Sequence, residues 1–203
     1  IMLALHSLEE ARLLLPFAEA LVAEMHAHLV VLLVIQVPNG QSFNEMTGNA
    51  ILGREALSAY LNESSHFAFH MLTLALTTDE VIPAIYKTVT SEAIDTVLIA
   101  LPDAQIEGSM SNGIISTLLP DLETVRSFTP PCDFVGVHPV CATDLSDCWT
   151  RTRNILLPVR GGRRSTLALR VAHAIAQRAD ARLTVLHVTP PGEPLQEANW
   201  LDE

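Results

Sequence analysis

Leu29-Val30-Val31-Leu32-Leu33-Val34-Ile35-Gln36-Val37 is the stretch whose reading settles the fold. Its longest purely apolar part, Leu29 to Ile35, is far below the roughly 20 residues a membrane span needs. It is also too continuous for a strand with one wet face, which would alternate apolar and polar side chains. A strand buried on both faces of a parallel sheet reads this way. Parallel neighbours require crossover helices, so the flanks should be helical.

The flanks meet that requirement. Ile1 to Leu5 is a short apolar strand. Leu8 to His28 has helical spacing, with Ala11, Leu14, Leu15, Ala18, Leu21, Val22 and Met25 on one face. Ser7 suits the N-cap, and Glu9 and Glu10 suit the first turn. Pro16 predicts a kink or a delayed start. Downstream, Pro38 to Asn49 reads as a loop and Ala50 to Leu61 as a helix. Phe69 to Leu76 is a strand, Thr77 to Thr90 a helix with Pro83 in conflict, and Asp95 to Leu101 a strand. Asn112 to Thr124 is predicted helical and Phe134 to Val140 a strand. The β-α alternation predicts a doubly wound parallel α/β sheet.

After a connector, the pattern restarts. Ile155 to Val159 reads as a strand, Ser165 to Arg178 as a helix, and Leu183 to Val188 as a strand. With an offset of 154, Ile1, Leu3, Leu13, Leu15, Ala18 and Ala20 fall on Ile155, Leu157, Leu167, Leu169, Ala172 and Ala174. Leu29, Val31, Leu32 and Val34 fall on Leu183, Val185, Leu186 and Val188. No gap is needed over a whole β-α-β unit, which predicts a tandem duplication. The expected organisation is a first copy over 1–141, a connector over 142–153, a partial second copy over 154–191 and an acidic tail over 192–203. A lone β-α-β unit cannot cover its own faces and edges, so a homo-oligomer (a dimer) or an excised segment is expected. Neither an initiator Met nor a signal-peptide pattern opens the chain.

Composition narrows the function. The 203 residues are 49% apolar, with a net charge of −11. Residues 1–150 hold 4 basic and 18 acidic side chains, whereas residues 151–203 hold 8 and 5, every basic one an Arg. An acidic chain is a poor polyanion binder, so a nucleic-acid role is disfavoured. Opposite charges on the two sections favour their association, or that of two copies. Cys132, Cys141 and Cys148 form no CxxC and read as reduced cytosolic thiols.

Asn154-Ile-Leu-Leu-Pro-Val-Arg-Gly-Gly-Arg-Arg-Ser165, Leu167-Ala-Leu-Arg-Val-Ala172 and Ala181-Arg-Leu-Thr-Val-Leu-His-Val-Thr-Pro-Pro191 together resemble the start of universal stress protein domains. Through the repeat, the resemblance extends more weakly to residues 1–140. It implies an adenine nucleotide alpha hydrolase-like domain that commonly dimerises, and ATP or AMP as the ligand of its binding members. Those members carry an Asp after the first strand and a Gly-x2-Gly-x9-Gly-Ser/Thr loop after the fourth. Here His6-Ser7 and Arg160-Gly161-Gly162 stand at the Asp position. After Leu101, Gly108 and Gly113 lack the loop's spacing, and Asp103, Glu107, Asp121 and Glu123 bring negative charge. The nucleotide motif is degenerate.

The most suggestive site is Arg160, Gly161, Gly162, Arg163, Arg164 and Ser165, at a strand-to-helix junction where α/β sheets bind ligands. Helix N-terminal N–H groups and Arg forks suit phosphate or carboxylate; a solvated Arg-rich helix face is the alternative. His26, His28, His66 and His70 lack an acidic or Cys third ligand at a recognisable spacing, so no metal is expected. Ser109, Ser111 and Ser116 form no Gly-x-Ser-x-Gly elbow, and His138 reads as structural. No catalytic constellation stands out.

The expected function is therefore a non-catalytic, cytoplasmic regulatory or ligand-sensing module. Within the family, tandem copies also occur as cytosolic portions of membrane transporters. The alternatives are an ATP- or AMP-binding stress protein acting as a dimer, and an adenylating α/β enzyme.

Overall fold

The computed structural model describes residues 1–37, 43–64, 71–101, 132–138, 149, 151–160 and 163–187. Its elements are β1 (Met2–Leu5), α1 (Leu8–Met25), β2 (Leu29–Gln36), α2 (Phe43–Ser64), β3 (Met71–Thr78), α3 (Val81–Ser91), β4 (Thr96–Ala100), β5 (Asp133–Val137), β6 (Asn154–Val159), α4 (Arg163–Ala179) and β7 (Arg182–His187). The fold is α/β. Five parallel strands form one sheet in the order β3-β2-β1-β4-β5. β6 and β7 form a separate parallel pair. None of the described helices is long and apolar enough to cross a membrane.

The central strands are buried as the continuous apolar runs require. All four residues of β1 are buried, as are the first six of β2. One sheet face presents Met2, Ala4, Val30, Leu32, Val97 and Ile99 to Ile85 and Val89 of α3. The opposite face carries Leu33 and Ile35 towards Gly53 of α2, where a Cβ would stand 2.8 Å from Leu33 Cδ2.

Several elements differ from the sequence-based expectation. α2 begins at Phe43, inside the stretch expected to be a loop. Thr47, Gly48 and Asn49 are polar or small because they face outward from a helix. Pro16 neither delays nor ends α1, which runs from Leu8 to Met25. An interior proline costs about 3 kcal/mol, and burial of Leu14, Leu15, Ala18 and Leu21 around it outweighs that. Pro83 raises no conflict, because α3 starts at Val81 and the first four helical N–H groups lack intrahelical partners anyway. The helix expected over 112–124, the tail over 192–203 and most of the connector lie outside the described residues.

By its contacts the chain divides into two compact units. One comprises Ile1–Ala18 with His28–Val140, the other Glu19–Ala27 with Cys141–Glu203. The β6-α4-β7 segment has the geometry of β1-α1-β2, 154 residues further on. Met2 pairs with Val30, and Leu156 with Thr184. Helix ends match too. His26 and Asp180 both adopt φ 49°. Ala27 N–H then donates to Val22 O at 3.1 Å and Ala181 N–H to Ala176 O at 2.9 Å. A left-handed residue followed by this six-to-one bond is a Schellman cap, which satisfies an orphan carbonyl of the last turn.

Candidate functional site

The sheet order reverses at β1, which pairs with β2 on one side and β4 on the other. Open α/β sheets bind ligands beyond the carboxyl ends of strands at such a switch point. His6 and Ser7 follow β1 directly. They line a cavity of about 190 Å³ with Leu33 and Ile35 of β2 and Gly53 and Ala56 of α2. The lining is mostly apolar because β2 is apolar on both faces. Gly53 lets α2 approach Leu33 closely.

His6 supplies the polar group. Its Nδ1 lies 3.4 Å from Val34 O, a long hydrogen bond in which the carbonyl can only accept. In a neutral ring that leaves Nε2 as an acceptor. Nε2 is buried and has no hydrogen-bond partner among the described residues. An unsatisfied buried group of this kind costs about 1–3 kcal/mol.

The positive end of α1, beside this cavity, is occupied by the chain's own groups. Ser7 Oγ accepts from Glu10 N–H at 3.2 Å, and Glu10 Oε2 accepts from His6 N–H at 2.7 Å. These are the reciprocal bonds of a capping box, shifted by one residue on the return. The backbone N–H of Glu9 and the Ser7 hydroxyl hold the Glu9 carboxyl below its ordinary range. A phosphate approaching this helix end would meet two carboxylates instead of open N–H donors. The arrangement suits an uncharged molecule.

The residues expected at the β6–α4 junction divide differently. Arg160 is exposed at the end of β6, Arg163 and Arg164 open α4, and Ser165 is buried in its first turn. Gly161 and Gly162 lie outside the described residues. The first turn of α4 contains no acidic residue. Two arginines thus stand at the positive end of a helix, against the macrodipole. Replacing both, Arg163→Glu with Arg164→Glu, is expected to stabilise the protein by about 0.3–1 kcal/mol per site at low salt. Urea unfolding checks this. Sulfate should raise the wild-type melting temperature more than that of the variant if the arginines gather anions.

Other expected groups do not assemble. Among the described residues, no three or more His, Cys, Asp or Glu side chains cluster to hold a metal. His66, His70, Ser109, Ser111, Ser116, Gly108 and Gly113 lie outside the described residues. His26 is the left-handed residue that ends α1. In the second unit His173 Nδ1 lies 2.9 Å from Glu24 Oε1, an exposed pair of small energetic weight. Sequence reading noticed His6 only as a missing Asp. It missed Gly53, Ala56 and the bonds of Glu10. The Ser7-x-x-Glu10 spacing was the legible signal for the last of these.

Residues 151–199, about a quarter of the chain, match the model of the universal stress protein family. That stretch contains β6, α4 and β7. No curated protein matches the chain.

Proposed function

We propose that this chain is a non-catalytic ligand-sensing module of universal stress protein type, built from one full domain and a partial β-α-β repeat of it. The cleft at His6 takes a small, mainly apolar, uncharged molecule that donates one hydrogen bond. The single observation carrying this reading is the mostly apolar cavity lined by His6, whose buried Nε2 has no partner among the described residues, beside a helix end closed by Glu10. The family match over 151–199 and the shared register of β1–β2 and β6–β7 support the stress-protein plan and the duplication. A stress-response role follows from that plan. The departures from the nucleotide motif favour a ligand other than ATP or AMP.

Nucleotide occupancy tests the reading. Purified protein is denatured, its supernatant is analysed for ATP, ADP and AMP, and native protein is titrated with ATP by calorimetry. The expected result is no nucleotide and no heat. Uncharged fragments small enough for a cavity of about 190 Å³ should raise the melting temperature, and Ala56→Phe, at an exposed position on the cleft wall, should abolish the shift. Bound nucleotide, or micromolar affinity for ATP, would overturn the proposal.

A further inference from the structure

β3 and β5 are the two edges of the five-stranded sheet, and they differ. β5 is five residues long, opens on Asp133 and contains Gly136. A short edge with a charge resists pairing with a foreign strand. β3 runs for eight residues, Met71-Leu-Thr-Leu-Ala-Leu-Thr-Thr78, with no charge, proline or glycine. Its register against β2 is unbroken, from Met71 opposite Leu29 to Thr78 opposite Gln36, so no bulge turns it away. The charges, prolines and bulges that protect natural edges are missing from this strand.

The direction of its backbone groups follows from one bond. Val37 N–H donates to Thr78 O at 2.8 Å, so the backbone of Thr78 faces β2. Along a strand, the N–H and C=O of one residue point to the same side and those of the next residue to the other. Leu72, Leu74 and Leu76 therefore also turn their backbone groups to β2, whereas Met71, Thr73, Ala75 and Thr77 turn theirs outward. No strand among the described residues takes these up. On the sheet face shared with α3, Leu74 packs against the core, while Leu72 and Leu76 are exposed at 43% and 37%. Asp79 and Glu80 follow the strand directly, and Glu63 stands in the last turn of α2 before it. All three are exposed.

We propose that the outer edge of β3 takes up an extended, basic segment of a partner protein as a sixth strand. Only another extended backbone presents acceptors and donors at the spacing of Met71, Thr73, Ala75 and Thr77. A helix spends its own backbone groups internally. Alternate apolar side chains of the added strand lie beside Leu72 and Leu76 and cover them. Charge selects the partner. Residues 1–150 hold 4 basic against 18 acidic side chains, and Glu63, Asp79 and Glu80 belong to that excess. Basic residues at the ends of the segment are attracted, and a second acidic chain is repelled. The edge lies outside the His6 cleft, and the proposal does not rest on the ligand-sensing reading.

Amide hydrogen exchange of the full chain tests this, with an eight-residue peptide of alternating Val and Thr between two terminal Arg residues as the probe. In the free protein the outward amides of Thr73, Ala75 and Thr77 should exchange at least about tenfold faster than those of Leu72, Leu74 and Leu76, and saturating peptide should slow them at least about tenfold. Anisotropy of the labelled peptide should show binding that weakens with salt. Ala75→Pro removes one outward N–H and leaves the ladder to β2 intact. It should raise the dissociation constant at least about tenfold. Asp79→Lys with Glu80→Lys should weaken this peptide and favour one with terminal Glu residues instead. Unchanged circular dichroism checks that both variants fold. Outward amides as slow as the inward ones in the free protein would overturn the proposal, because the edge is then already covered. So would protection that appears with protein concentration alone, which would place a second copy there. No protection at millimolar peptide, or an affinity indifferent to both variants, would overturn it as well.

Discussion

Leu32→Ala should lower the free energy of unfolding by about 2–5 kcal/mol, whereas Leu186→Ala should change it by no more than about 0.5 kcal/mol. The two leucines hold corresponding places in the strand pairs β1–β2 and β6–β7. Leu32 is fully buried, pairs in register with Ala4 and Leu74, and lies in the cluster with Ile85, Val89 and Ile99. Truncating it removes transfer free energy and leaves a cavity that rigid neighbours cannot close. Leu186 is half exposed, so its removal takes little apolar surface out of the folded chain. Urea unfolding followed by far-ultraviolet circular dichroism, at a protein concentration where the chain is monomeric, measures both. Equal losses would mean that Leu186 is covered within the chain and that the second unit has no open face.

Cys132 should resist thiol reagents in the native protein, reacting at least about a hundredfold more slowly than a solvated thiol at mildly alkaline pH. It is buried beside β5, and burial, followed by the Asp133 and Asp95 carboxylates, pushes its pKa up from 9.0 to about 11. The nucleophile is the thiolate. At a fixed pH below 9, a rise of two units lowers the thiolate fraction about a hundredfold. Burial then slows access further. In a Cys141→Ser, Cys148→Ser background, native protein should react slowly and denatured protein at once. The shift also sets a pH dependence. The thiol ionises near 9.0 when unfolded and near 11 when folded, so above pH 9 the unfolded state binds fewer protons. Stability therefore falls as pH rises from about 9 to 11, and Cys132→Ala should flatten that slope. Fast native modification would place Cys132 on the surface.

Much of the fold was legible because its signals are local. The run Leu29–Ile35 announced a central parallel strand, and the helical spacing of Leu14, Ala18 and Leu21 announced α1. α2 was misjudged at its start because Thr47, Gly48 and Asn49 have turn-like composition. Their composition reflects an outward helix face, which only the packing of Leu57 and Leu61 reveals. The helix starts at Leu8 in spite of the proline at position 16 for a related reason. Its cost is fixed by local geometry, but the burial that offsets it comes from the sheet.

The candidate site was legible in part. The departure at His6 stood out once the resemblance was stated. That its Nε2 is buried without a partner, and that Glu10 closes the helix end next to it, depend on side-chain placement across β1, α1 and β2. The sequence instead drew attention to Arg160–Ser165, where several charges are adjacent along the chain. Adjacency in sequence made that segment conspicuous, while the His6 cleft joins residues from three distant segments.

The amino-acid order alone determined the parallel α/β architecture and the alignment of two β-α-β segments. Apolar period and strand length are properties of short stretches and survive without tertiary context. Tertiary structure decided which of those matched faces is covered. Met2 and Leu156, like Leu32 and Leu186, hold corresponding positions in two parallel strand pairs, yet the first of each pair is buried and the second exposed. Burial depends on what packs on a face, and Ile85 and Val89 of α3 pack on the one that holds Met2 and Leu32.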